Sequence, residues 1–312
     1  MKKYLLIFFF IFYAISSFAD CNYNLNVPAL VYTVSDINPT VSSNFTISTN
    51  DNKISSCQNF FITFSKGTYA TDYNRKAKKT NSNSFVFYDL SKFINSSSIL
   101  KGPNDAISIN EVLEGILLTN QTKSMSYYFS YVRPGASPPL AGTYTDNIEL
   151  NSYKGIFPDY QSNDKSKNLF ISIIVPKLAS LSLVDSGSSY DPNQSVKILD
   201  FGELVANQEL GFDIRMVSNA GFQLKISSAN NGSMNIAGNS DSNSKISYNF
   251  LINNQIINLS NSQSSPVIIA NGSGVTPSGG AVVAARAVIQ SVDQKSYGIY
   301  QDYLTVTITT TE

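Results

Sequence analysis

The sequence predicts an all-β protein of two immunoglobulin-like sandwiches in tandem, the second with fewer strands than the first. Three observations carry that expectation. Short stretches of period-2 alternation are separated by polar turns containing Gly and Pro. Ser, Thr, Asn, Tyr and Phe are abundant and charges sparse, which suits strands with one polar face. One strand pattern, Gly-x-Tyr-x-Asp followed by alternating apolar residues, occurs at 142–150 and again from 298 onward.

In chain order, the first stretch reads MKKYLLIFFFIFYAISSFAD: two lysines, an apolar run, then small residues at the positions a signal peptidase reads. Residues 1–19 are expected to be a secretory signal peptide, too short for a spanning helix with the usual flanks. Asp20 stands where a lipid-attachment site wants a small residue before Cys21, so no lipoprotein is expected. The mature chain then begins at or near Asp20, outside the cytoplasm. Lys plus Arg number 22 and Asp plus Glu 22, so no global attraction to nucleic acid is expected.

The cysteines are Cys21 and Cys57, and the chain has no histidine. In an exported protein such a pair is most economically a disulfide, which stabilises by about 3–4 kcal/mol in the chain-entropy model. Two thiols without histidine do not make a metal site, and no cofactor is expected.

Alternation places strands at 24–33, 44–49, 59–65, 84–90, 126–133, 143–150 and 169–175. Seven short strands suit a complete sandwich over residues 20–176. Within the long connection 93–123, only 109–118 has a helical period. The second half, 177–312, repeats the order with fewer members: a strand ending near Asp200-Phe201-Gly202, then 211–217, 222–227, 245–252, 282–289 and 300–309. Tyr144, Asp146, Ile148 and Leu150 fall on Tyr300, Asp302, Leu304 and Val306.

After the first copy comes KNLFISIIV, apolar enough for a buried closing strand, whereas the second is followed by the C-terminus. The expectation is a groove lined by Leu304, Val306 and Ile308 beside an unpaired row of backbone groups, open to a strand from another chain. Closure from within, by 179–184, is the alternative, and periodicity leaves both open.

These residues resemble the spore coat protein U domain family. The closing Gly-x-Tyr-x-Asp pattern carries most of the likeness. Gly67, Arg75-Lys76 and Phe87-Tyr88-Asp89-Leu90 add to it in the first copy, and Phe201-Gly202, Gly232 and Tyr248-Asn249-Phe250 in the second. That family supplies subunits of archaic chaperone-usher pili, each an incomplete sandwich completed by an N-terminal extension of the next subunit. The resemblance implies that 177–312 is an incomplete pilin-type sandwich lacking its last strand, with a periplasmic chaperone, an outer-membrane usher and an adjacent pilin's donor strand as partners, and passage through the periplasm to the cell surface.

The chain departs from an ordinary subunit of that family. Only Asp20 would precede Cys21, the first sandwich is an addition, and the second lacks cysteines. The layout resembles a two-domain tip adhesin, implying attachment to host or abiotic surfaces and biofilm formation. A structural pilin or coat-layer subunit and a free-standing secreted lectin-like binder are the competing readings. The first should donate a strand as well as accept one; the second should fold alone in both halves.

For the adhesive end, the sequence offers the turn 151–167, in which Tyr153, Ile156, Phe157 and Tyr160 stand among polar residues with Pro158. The connection 93–123 should reach the same end with Ile99, Leu100, Ile107, Ile109, Leu113 and Leu117, and the polar stretch 50–56 forms a third fingertip. The opposing expectation is that these side chains cap the core. Arg75, Lys76, Lys78 and Lys79 read as a solvated turn. Tyr144 and Tyr300 read as core residues with bonded hydroxyls and Asp146 and Asp302 as their neighbours. With no histidine, no spare cysteine and no phosphate loop, an enzyme is not expected.

Overall fold

A computed structural model describes residues 21–35, 39–49, 57–118, 121–132, 135, 138–239 and 241–311, the side chains of 160–163 excepted. The signal segment, Asp20, the fingertip 50–56 and the side chain of Tyr160 lie outside the described residues.

The first half holds β1 (Tyr23–Asn26), β2 (Leu30–Thr33), β3 (Thr40–Thr49), β4 (Asn59–Phe64), β5 (Lys76–Lys79), β6 (Phe85–Ser91), β7 (Leu113–Ile116), β8 (Thr122–Val132), β9 (Gly142–Ile156) and β10 (Asp159–Val175). One layer runs β1-β3-β8-β6-β5 and the other β7-β4-β9-β10-β2, with β5 reaching across to β9. The expected strand 24–33 is broken at Val27-Pro28-Ala29, because proline lacks the amide a ladder needs. The chain there changes layers: β1 pairs antiparallel with β3, and β2 pairs parallel with β10. From β10, Leu169, Ile171, Ile173 and Val175 point into a core that includes Phe45, Tyr88, Phe129, Ile148 and Leu150. Cys21 and Cys57 form the disulfide. Beside it the Asp164 carboxylate accepts the amides of Cys21 (2.8 Å) and Tyr23 (2.9 Å), so the start of β1 is tied down twice.

Two expectations are corrected here. Residues 151–167 are the far end of the β9–β10 hairpin, paired from Lys167↔Leu150 to Asp159↔Ile156. Register shifts on either side of Asn163 absorb the polar residues without ending the ladder. The stretch 109–118 is one 3₁₀ turn, Ile109–Glu111, followed by strand β7 on β4. Gly115 permits that approach, since a Cβ there would sit 2.7 Å from the Phe60 ring.

The second half holds β11 (Ala179–Val184), β12 (Glu209–Ser218), β13 (Phe222–Ser228), β14 (Ser233–Ile236), β15 (Lys245–Ile252), β16 (Gln255–Ile257), β17 (Val267–Gly272), β18 (Ala281–Ile289), β19 (Tyr300–Gln301) and β20 (Leu304–Thr310). The order β11-β12-β18-β15-β14-β19 repeats β1-β3-β8-β6-β5-β9, and β17-β13-β20 repeats β7-β4-β9. Among the described residues nothing repeats β10 and β2. The strand expected to end near Asp200-Phe201-Gly202 carries no ladder, although Leu199 and Phe201 pack half-buried on the core. Its counterpart β2 gets its ladder from β10, which has no equivalent here.

Candidate functional site

The repeated Gly-x-Tyr-x-Asp pattern builds the same corner twice. Tyr144 donates its hydroxyl to the Leu140 carbonyl and Tyr300 to the Ser296 carbonyl, each four residues upstream and each at 2.6 Å. This is the tyrosine corner of immunoglobulin-like sandwiches. Two residues on, Asp146 accepts from the Tyr88 hydroxyl (2.6 Å) and the amides of Thr68 and Asn147 (both 2.8 Å). Asp302 accepts from the Tyr248 hydroxyl (2.5 Å), the Ser228 hydroxyl (2.6 Å) and the amides of Asn230 (3.0 Å) and Tyr303 (2.8 Å). Burial, reinforced by the carboxylates, pushes the Tyr88 and Tyr248 hydroxyls well above the usual tyrosine range. Both hydroxyls therefore stay protonated and donate across the layers to the aspartates.

With the corners superposed, the edges beyond them differ. In the first sandwich, β10 lies along β9 with Tyr144↔Ile173, Asp146↔Ile171 and Ile148↔Leu169. In the second, β20 pairs on one side with β13, as in Val306↔Ile226, and among the described residues no strand pairs with its other side. Leu304, Val306 and Ile308 are half-buried against the second core, as are Leu181, Leu183, Leu199 and Phe201. β11, the segment expected in the alternative to close the sheet, pairs instead with β12, as in Leu183↔Ile214, and runs close to β20 without pairing with it. The outcome is an apolar trough beside a seven-residue row of backbone donors and acceptors.

At the opposite end of the first sandwich several expected contact residues are corrected. Tyr153 and Phe157 are buried with Phe61 and Val112 in a small satellite core. Tyr153 stacks on Phe61 at 5.0 Å and Phe157 meets it edge-on at 5.7 Å. Leu100 is 0% exposed, in the main core, because its amide bonds the Leu90 carbonyl at 2.8 Å and draws it under the sheet. Leu113 and Leu117 are likewise buried there, and Ile99 is half-buried. Ile156 is 56% exposed and Ile107 88%, and Ile109, Phe93 and Ile94 also face solvent. Ala106 packs on the satellite core, so the 93–123 connection reaches the end where Ile156 stands.

Arg75 is also corrected: it is fully buried, and Lys76 to Lys79 form β5. Its guanidinium donates to the carbonyls of Ser65 (2.8 and 3.0 Å), Leu100 (2.6 Å) and Phe64 (3.4 Å), fastening the connection to the end of β4. Burial lowers its pKa to about 10, partly offset by Tyr88, Tyr73, Asp89 and Asp146. A second residue that sequence reasoning missed is Asn219, buried in the turn between β12 and β13 and bonded to the linker 176–178; an Asn in a polar turn gives no signal of that role.

No protein-family model matches the chain, and no curated protein matches it. Solved structures similar to it include the chaperone–tip adhesion subunit pre-assembly complex CsuC-CsuE from archaic chaperone-usher Csu pili of Acinetobacter baumannii. The identity there is 12%, the coverage 91% of this chain and 99% of that one, and the TM-score 0.43. The CupB6 tip adhesin from Pseudomonas aeruginosa is 10% identical over 92% of this chain and 95% of that one, with TM-score 0.40. The CssB subunit of enterotoxigenic Escherichia coli colonization factor CS6, complemented with a donor strand from CssA, is 14% identical over 49% and 96%, with TM-score 0.28. All three TM-scores lie below 0.5, a likeness too distant to assign a role; the chain's own geometry has to do so.

Proposed function

We propose that this protein is the tip adhesin subunit of a chaperone-usher pilus of the archaic, spore coat U type. The observation that carries the reading is internal: two sandwiches share one strand order, and the element that closes the first has no described counterpart in the second. A strand donated by the adjacent subunit fills the place beside β20 that β10 fills beside β9. By the same match it runs antiparallel to β20, with alternate apolar side chains in the trough and main-chain hydrogen bonds along the edge. Until then a periplasmic chaperone covers the edge, and an outer-membrane usher passes the subunit on.

The first sandwich is closed by its own strand and accepts none. Residues 23–26 are already paired in β1, so they are not a free donor segment. That leaves the first sandwich at the fibre end, presenting Ile156 and Ile107 to a host or abiotic surface and supporting attachment and biofilm growth. Tyr160 belongs to the same proposed tip. Replacing Ile107 and Ile156 together by Ser should lower attachment of cells whose fibres assemble normally; unchanged attachment would move the adhesive site elsewhere.

The edge is tested on the full chain by hydrogen exchange and thermal unfolding with a synthetic peptide copying residues 167–175, KNLFISIIV. At a hundredfold excess over its dissociation constant, the peptide should stabilise the second sandwich by about 2.7 kcal/mol. That corresponds to a rise in melting temperature on the order of 10 °C, with new protection at Leu224 and Ile226 and none added in the first sandwich. No change in the second sandwich would mean that it closes itself, and the free-standing binder would become the better account.

A further inference from the structure

The corner loop of the first sandwich is not free. Ala141, three residues before Tyr144, is 8% exposed and donates its amide to the Asn219 carbonyl of the second sandwich at 2.8 Å. Asn219 in turn holds the linker. Its side-chain oxygen accepts the Leu178 amide (2.7 Å), its side-chain nitrogen donates to the Pro176 carbonyl (2.9 Å), and its own amide donates to the Leu178 carbonyl (3.1 Å). β10 leaves the first sandwich at this place, since Val175 faces Gly142 across the ladder. The strand that closes a sandwich and the body that follows it thus arrive at the tyrosine-corner end together, and the body sits on the corner loop.

In the second sandwich the matching residues 296–299 bond only within their own sandwich among the described residues, as in the Ser296 amide to the Asn243 carbonyl (2.9 Å). Matching the corners, Leu140 corresponds to Ser296 and Ala141 to Tyr297. Tyr297 is 105% exposed and Ile299 77%, an aromatic and a branched apolar residue on either side of Gly298. The Tyr297 amide, matching the Ala141 amide that bonds Asn219, has no hydrogen-bond partner among the described residues. A strand laid beside β20 as β10 lies beside β9 ends next to Tyr300, so the fold it belongs to must begin beside residues 296–299.

We infer that the Tyr297–Ile299 loop is the seat for the folded body of the strand-donating subunit, a second sandwich that meets it through the turn matching 218–222. This rests on the strand-acceptor reading and adds a second, rigid contact to the donated strand. Exposed apolar residues continuous with an open strand edge, and a covered equivalent in the same chain, favour this occupant over a small ligand.

The test uses the full chain in cells assembling the native fibre, with the photo-crosslinker benzoylphenylalanine placed at Thr307 on the open edge or at Tyr297. The expected result is an adduct from Thr307 to an extended segment of a neighbouring subunit, and one from Tyr297 to a turn in the folded body of that same subunit. An adduct at Thr307 with none at Tyr297, or with Tyr297 joined only to the extended segment, overturns the seat and leaves the strand-acceptor reading standing. No adduct at Thr307 overturns both. In a second measurement, Tyr297→Ser with Ile299→Ser should leave affinity for KNLFISIIV unchanged while roughly tenfold less of the subunit stays on purified fibres during mild heating. Equal retention also overturns the seat.

Discussion

The two sandwiches are one design at two stages of completion. Both carry the same strand order, a tyrosine corner at 2.6 Å and an aspartate that takes a tyrosine hydroxyl from the opposite layer. In the first, the corner strand is enclosed between β4 and β10, and Tyr144, Ile148 and Leu150 are fully buried. In the second, the equivalent Tyr300, Leu304 and Val306 are only half-covered. The absence of β10, and with it of the ladder that β2 forms, accounts for the difference, and the rest of the layout stands while much of the core's burial is withheld. Completing the burial of side chains already half-covered is worth roughly 1 kcal/mol each, and that gain is available to whatever supplies the strand.

The sharpest way to break the comparison is the same substitution at matched positions. Ile148→Asp puts a carboxylate into a closed core and should abolish folding of the first sandwich, a loss above about 4 kcal/mol. Leu304→Asp should leave the second sandwich foldable and instead weaken binding of the β10-like peptide by a hundredfold or more, about 2.8 kcal/mol. Circular dichroism with peptide titration reads both; equal damage at the two sites would mean that the second edge is as closed as the first. Arg75→Ala comes next. It strands the carbonyls of Phe64, Ser65 and Leu100, and should cost about 3–5 kcal/mol in the first sandwich only, measured by denaturant unfolding.

The smallest effect sharpens the corner match. Tyr144→Phe should cost about 1 kcal/mol, and Tyr300→Phe less, because its hydroxyl is nearer water. The tyrosines also set an alkaline limit. The folded-state pKa values of Tyr88 and Tyr248 are raised above the ordinary 10.0, so the unfolded chain sheds these protons first. Their contribution is intact below pH 10 and is lost as pH rises beyond it. Arg75, lowered to about 10, acts in the opposite direction over the same range. A pH series of melts from 8 to 12 should show the first sandwich, where Tyr23, Tyr73, Tyr127 and Tyr144 are raised as well as Tyr88, declining more steeply than the second, Arg75 offsetting only part of that loss.

What was legible in the sequence was periodic or duplicated. The β8, β13 and β15 stretches show plain alternation, and the corner pattern announced its geometry twice because Tyr and Asp at that spacing have fixed partners. Short strands were not legible: β5, β7, β14 and β16, of three or four residues, are too short for a period to show, and their neighbours recruit them. The hairpin end at 151–167 was hidden by its Asn, Ser and Lys content. Tyr153 and Phe157 looked exposed because nothing local in the chain announces Phe61 and Val112 beneath them. Burial of Arg75 among carbonyls likewise depends on Leu100, distant in sequence.

The hairpin geometry also decides how the molecule bears a load. β10 is a 17-residue strand, antiparallel to β9 and parallel to β2, and it passes through Pro176 straight into the second sandwich. A pull between the sandwiches therefore acts along β10, in the plane of its ladders. Its hydrogen bonds are sheared side by side and resist as a group, whereas a pull across the sheet would open them one at a time.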